Sequence, residues 1–173
     1  MDSPLLISGL IEHAASSNPN SEIVSRRCES DGESDIHRYT MKDAAKRSKQ
    51  IANALIDLGA KPADRIATLA WNNYRHFELY FGVSGIGSVL HTINPRLFPE
   101  QLVYIINHAE DRWIFVDLTF VPLLEAIQDK IPAVEGFIIM ADTANMPATS
   151  LKNVICYEDL ISNASDQLEW PQF

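Results

Sequence analysis

The sequence predicts an α/β fold with a mainly parallel sheet flanked by helices, and three observations carry that expectation. Four short apolar runs, at 65–70, 88–93, 113–116 and 136–140, read as strands buried on both faces. Segments of helical period separate them, each long enough to cross over the sheet. The 173 residues are 46% hydrophobic and 21% charged, a globular composition that excludes disorder and a collagen-like chain.

The elements follow in order. Leu6, Leu10, Ile11 and Ala14 fall at helical spacing in 4–15, where Ser3 suits the cap and Pro4 the first turn. Two short strands are expected at 22–25 and 36–39, joined by the polar stretch 29–35 with Gly32. Thr40-Met41-Lys42-Asp43 resembles a capping box. It opens a helix with Ala44, Ala45, Ser48, Ile51, Ala52, Leu55 and Leu58 on one face, stopped at Gly59. Pro62-Ala63-Asp64 turns the chain into the strand at 65–70. A helix at 74–86 sets Phe77, Tyr80, Phe81 and Ser84 on one stripe; one at 99–108 points Leu102, Ile105 and Ile106 inward; a third spans 121–131. This makes 4–140 an α/β core. Residues 141–173 read as a loop with a short helix at 157–162. Trp170 and Phe173 stand where chain ends are usually frayed and polar, so the chain is expected to be a piece of a longer one.

The search for chemistry excludes more than it finds. A net charge of −9 with scattered basic residues argues against nucleic acid, and Lys42, Lys46, Arg47 and Lys49 read as a solvated helix face. Cys28 and Cys156 lie in no metal spacing, and His13, His37, His76, His91 and His108 lack zinc-site partners. Asp2, Ser8 and Gly9 spoil a secretory signal, and no apolar run approaches 18 residues; the chain reads as cytoplasmic. There is no P-loop and no Gly-x-Ser-x-Gly elbow. Gly85-Ile86-Gly87 begins a dinucleotide fingerprint but precedes a strand instead of following one, so close packing is expected there. No catalytic or metal-ligating residue is assigned. One segment stands apart: His91-Thr92-Ile93-Asn94-Pro95-Arg96-Leu97, directly after a strand, where parallel sheets bind ligands. Arg96 there suits an anion, because guanidinium pairs with phosphate; the alternative is a structural Asn-Pro turn into the next helix.

Asp64-Arg65-Ile66-Ala67-Thr68-Leu69-Ala70-Trp71-Asn72-Asn73, followed by Tyr80-Phe81-Gly82-Val83, resembles the adenylate-forming superfamily. Gly87-Ser88-Val89-Leu90-His91-Thr92-Ile93-Asn94-Pro95-Arg96-Leu97 and Tyr104-Ile105-Ile106-Asn107-His108-Ala109-Glu110-Asp111 sharpen the likeness to medium- and long-chain fatty acid–CoA ligases, from about residue 5 to 173.

The resemblance implies an enzyme that joins a fatty acid to CoA through an acyl-adenylate, using ATP and Mg²⁺. It places Arg96 beside the CoA nucleotide. It also implies that the Ser/Thr/Gly-rich phosphate loop, the adenine site and the catalytic Lys lie beyond Phe173, so the chain would be an incomplete N-terminal domain, inactive alone, needing no cofactor of its own. Self-association is expected from the apolar face that the missing part would cover. Two other functions stay open: a self-contained flavodoxin-like binding module, and an adenylate-forming enzyme with another acceptor.

Overall fold

A computed structural model describes residues 5–29 and 35–173. The expected Ser3 cap, Pro4 and most of the 29–35 turn lie outside them. The first helix, α1 (Ile7–Ser17), starts after Leu6 and leaves Leu10 exposed, with Ser8 and Ile11 turned inward. β1 (Glu22–Arg26) and β2 (Ile36–Thr40) form an antiparallel pair apart from the main sheet. Thr40 and Asp43 complete the capping box of α2 (Met41–Asp57). Gly59 (φ +82°) turns the chain just after that helix, a conformation that suits glycine.

Strands β3 (Arg65–Leu69), β4 (Val89–Thr92), β5 (Trp113–Val116), β6 (Gly136–Ile139) and β7 (Val154–Cys156) form one parallel sheet in the order β4-β3-β5-β6-β7. Between them run α3 (Tyr74–Gly85), α4 (Pro99–Ala109) and α5 (Val121–Ile127), with α6 (Tyr157–Ser162) last. Numbered within the sheet, the order is 2-1-3-4-5, a doubly wound arrangement whose ligand edge is the carboxyl end of the strands. The helix expected over 121–131 ends at Ile127 and continues as a 3₁₀ turn, Gln128–Lys130.

Alternation along each strand sorts the core into two layers. Ala67, Leu69, Ile114, Val116, Phe137 and Ile139 meet α4 and α5 through Leu102, Ile106, Leu124 and Ile127. Ile66, Phe115, Ile138 and Met140 meet α2, α3 and α6 through Ile51, Leu55, Leu79, Val83, Tyr157 and Ile161. A smaller cluster of Ile11, Tyr39, Ala44, Ala45 and Tyr74 attaches α1 and the hairpin.

Two local expectations change. The aromatic stripe of α3 does not face the sheet: Leu79 and Val83 do, while Phe77 and Phe81 are half-buried toward the smaller cluster and Tyr80 is exposed. The cause is the close crossing of α2 and α3 at Gly82, where an added Cβ would lie 2.1 Å from Ile51 Cγ2 and 3.0 Å from Ser48 O; that contact fixes the rotation of α3. Second, the sheet continues past Met140, because Val154–Cys156 joins it as β7. Three residues after a polar Lys152-Asn153 carry too little period to read as a strand.

The basic residues of α2 are not a free solvated face. Lys46 and Lys49 pair with Asp166 and Glu12 at 3.4 and 2.7 Å. Arg47 is drawn into a network joining α2, α3 and α6. Its Nε donates to Glu78 Oε1 (2.7 Å), and its terminal nitrogens donate to both Glu158 oxygens (3.0 Å each). Tyr157 donates its hydroxyl to Glu78 Oε2 at 2.7 Å. Arg75 donates to Glu158 Oε1 (2.8 Å), Glu29 Oε1 (2.5 Å) and the Met140 carbonyl (2.8 Å).

Candidate ligand cleft at the strand carboxyl ends

The chain leaves β3 for β4 on one side and then crosses to β5 on the other, so the switch point lies between β3 and β5. Polar contacts close that crevice. Asp117, fully buried at the end of β5, accepts from Trp71 N at 2.6 Å and from Asn73 Nδ2 at 3.2 Å. Asn73 in turn caps α3, its Oδ1 accepting from His76 N at 3.1 Å. Phe120 packs against the Trp71 ring, with centroids 5.0 Å apart.

The opening is therefore displaced to the β3–β4 side. There a cleft of about 450 Å³ is lined by Trp71, Asn72, His76, Tyr80, Thr92, Asn94 and Arg96 among others. The loop after β4 is set by Asn94, whose Oδ1 accepts from Arg96 N at 3.0 Å. Such an Asx turn presents the next side chain outward. Arg96 is exposed and its guanidinium has no ion pair or hydrogen bond among the described residues. The segment is an Asn-Pro turn, and it places an unengaged guanidinium on the cleft.

His76 lies on the cleft floor and is 4% exposed. Its Nδ1 is 3.2 Å from the Trp71 carbonyl, which only accepts, so Nδ1 carries the proton. Nε2, 3.0 Å from Thr68 Oγ1, then accepts from that hydroxyl. Burial pushes its pKa down, and the ring stays neutral with both nitrogens engaged. It forms part of the cleft floor with no ring nitrogen free. His91 is equally engaged: Asp111, fully buried, sits 2.8 Å from its Nδ1 and raises its pKa through that hydrogen bond.

Burial, followed by the nearby Asp117 charge, pushes the Cys28 thiol up to about 11, so it is no nucleophile at neutral pH. Among the described residues no group of three or more His, Cys, Asp or Glu is placed to hold a metal ion. No described helix is long and apolar enough to cross a membrane. Gly85 and Gly87 lie at the opposite end of β4 from this cleft. An added Cβ would meet the Trp170 ring at 2.3 Å and the Phe173 ring at 2.6 Å, and Gly87 has φ +78°. Close packing accounts for them, and Trp170 is buried there, donating Nε1 to Glu12 Oε1 at 2.8 Å.

Burial also pushes the Asp117 carboxyl up to about 6 from 3.8, against the opposing pull of Trp71 N and Asn73. A carboxyl raised in the folded state stabilises only while protonated, so its contribution is lost as pH rises from about 4 through 6. The difference corresponds to about 3 kcal/mol. Urea unfolding of Asp117→Asn beside the wild type is expected to show the stability gap moving in the variant's favour by about that amount between pH 4 and 8. Parallel pH curves would contradict the assignment.

Comparison with known proteins places these features. The family model described as AMP-binding enzyme matches residues 11–167. The chain is 47% identical over 173 residues to a 3-methylmercaptopropionyl-CoA ligase of Ruegeria lacuscaerulensis, covering all of this chain and 31% of that protein. It is 44% identical over 171 residues to a medium-chain-fatty-acid–CoA ligase of Ectopseudomonas oleovorans, covering 99% and 31%. The chain thus spans about 31% of the length of these curated relatives, and it corresponds to their N-terminal portion. Among solved structures, an anthranilate CoA ligase in complex with anthranoyl-AMP superposes with a TM-score of 0.81 at 22% identity, over 99% of this chain and 31% of that one. That likeness shows the shared fold. With the family model running over nearly the whole chain, this protein belongs to the AMP-binding enzyme family.

Proposed function

We propose that this chain is the first part of the large N-terminal domain of an AMP-forming fatty acid–CoA ligase. The observation that supports it best is identity of 44–47% spread over essentially every residue, shared with CoA ligases of aliphatic acids. In the reaction, a carboxylate oxygen attacks the α-phosphate of ATP and pyrophosphate leaves. The CoA thiol then attacks the acyl carbonyl, forming the thioester and releasing AMP. Mg²⁺ would offset phosphate charge in the first step, held by groups outside the described residues.

The residues on the cleft fit one part of this chemistry. Arg96 is cationic, exposed and unengaged, beside the Asn94 amide and the Thr92 hydroxyl. These are donors for a phosphate of CoA. They do not fit a triphosphate with its metal: the seven glycines are dispersed and no lysine adjoins a glycine-rich loop at this edge. In this proposal those groups come from sequence outside residues 1–173, the chain alone is inactive, and the parent works in the cytoplasm.

The test is thioester synthesis by the intact ligase with octanoate and palmitate. AMP, pyrophosphate and acyl-CoA forming in equal amounts is the expected result. Formation of ADP, or acid turnover independent of CoA, would refute the proposal.

A further inference from the structure

The hairpin β1–β2 stands apart from the main sheet, and one titratable ring seats it on the helices. His37, on β2, stacks on Tyr74 of α3, with centroids 3.7 Å apart and planes at 18°, and meets the Tyr39 ring at 5.0 Å. Its Nε2 is buried without a hydrogen-bond partner among the described residues. Charged groups face it from every element of the seat. From α2 come Asp43, Lys46 and Arg47, which line a hollow of about 350 Å³ together with His37. From α3 comes Arg75, whose guanidinium carbon lies 4.8 Å from the Tyr74 centroid; that of Arg47 lies 5.5 Å from it. Arg27 follows β1, and Glu158 stands on α6. The carboxylates nearby are already committed: Glu158 to both Arg47 and Arg75, Glu29 to Arg75, and Asp43 to the Thr40 cap.

We propose that His37 is an acid-sensitive clasp: its neutral ring seats the hairpin, and protonation releases the hairpin from α2 and α3 while the main sheet stays folded. A charged ring must carry a proton on Nε2, and a buried N–H without an acceptor is destabilising. It also adds a third cation to the two guanidiniums around one tyrosine ring. The neutral ring leaves Nε2 a bare lone pair and avoids both costs. The hollow beside it gives the proton a route in. Burial first, and then the charges of Arg47 and Arg75, lower the pKa of His37 in the seat. A histidine lowered in this way holds the hairpin fully above its ordinary pKa of about 6.5, and less firmly as pH falls below that value. Asp117 and Glu78, raised by burial, act with the opposite sign, so neither produces that loss. Burial holds the pKa values of Tyr39 and Tyr74 up, so both hydroxyls stay protonated throughout.

The experiment follows the 173-residue chain by NMR from pH 7.5 to 5, reading the His37 ring resonances and the amide hydrogen exchange of β1, β2 and β5. After correction for intrinsic exchange, protection of β1 and β2 is expected to fall about 5- to 30-fold; the upper figure is the limit set by an ordinary histidine in the released hairpin. Both strands should stay less protected than β5 at every pH, because the hairpin opens without the sheet. The ring itself should titrate below about 6.5. His37→Phe keeps a stacked ring and removes the proton site, so the acid loss should vanish; in Asp117→Asn it should persist. Should His37→Phe fail to fold, the ring titration and exchange profile of the unaltered chain decide the matter alone. Hairpin protection that is flat with pH, hairpin and β5 exchanging with equal protection, a ring titrating at or above its ordinary value, or a folded His37→Phe that keeps the acid loss would overturn the inference.

Discussion

Arg47→Ala is expected to lower stability by about 3–5 kcal/mol, because it strips a buried carboxylate of its partner. Glu78 is 0% exposed and, once Arg47 is gone, is left with tyrosine hydroxyls and no cation as hydrogen-bond partners. Burial already pushes its carboxyl up, with Arg47 the largest opposing influence. Glu158 loses its two-pronged contact at the same time, which removes the ion pair between α6 and α2. For a chain of this length the loss corresponds to a drop in Tm of roughly 6–20 °C. Urea denaturation measures it directly. The control is Arg47→Met combined with Glu78→Leu, which replaces the pair by apolar volume and should recover most of the loss. A single-variant cost below about 1 kcal/mol would show that the network is not coupled to folding.

The 173-residue chain is expected to form no acyl-adenylate. A triphosphate needs converging backbone N–H groups, a lysine and a bound metal. The carboxyl edge of this sheet offers instead a closed switch point, Asp117 on Trp71 and Asn73, and a single unengaged guanidinium. One such contact holds a phosphate at about millimolar strength, near −4 kcal/mol. Acid-dependent pyrophosphate exchange with octanoate and palmitate should stay at background, and calorimetry should find MgATP binding weaker than ~50 μM, about −6 kcal/mol. Exchange above background would place the adenylating residues within this chain.

The fold was legible where period and capping are local properties. β5 stands where its Trp-Ile-Phe-Val run puts it, and Thr40 with Asp43 opens α2 as the spacing demands. What escaped depends on partners far along the chain. β7 is a strand because β6 offers it an edge, not because Val154-Ile155-Cys156 has a pattern. The rotation of α3 depends on Gly82 meeting α2. Arg47 reads as one more charge on a polar face until α6 returns from 111 residues away with Glu158. Arg96 was visible because its signal is local: a polar Asn-Pro-Arg turn directly after a strand. The run Trp71-Asn72-Asn73 was noticed for its likeness to relatives; its physical role, tethering the end of β3 to buried Asp117, needed the structure.

The most direct test of the central claim is CoA saturation of the intact ligase carrying Arg96→Ala, measured beside pyrophosphate exchange. A charge-assisted phosphate contact contributes about 1.5–3 kcal/mol. The KM for CoA should therefore rise roughly 10- to 150-fold, while exchange, which needs no CoA, should stay within about twofold of the wild type. An unchanged KM for CoA, or an equal loss in exchange, would contradict the assignment of this cleft to CoA.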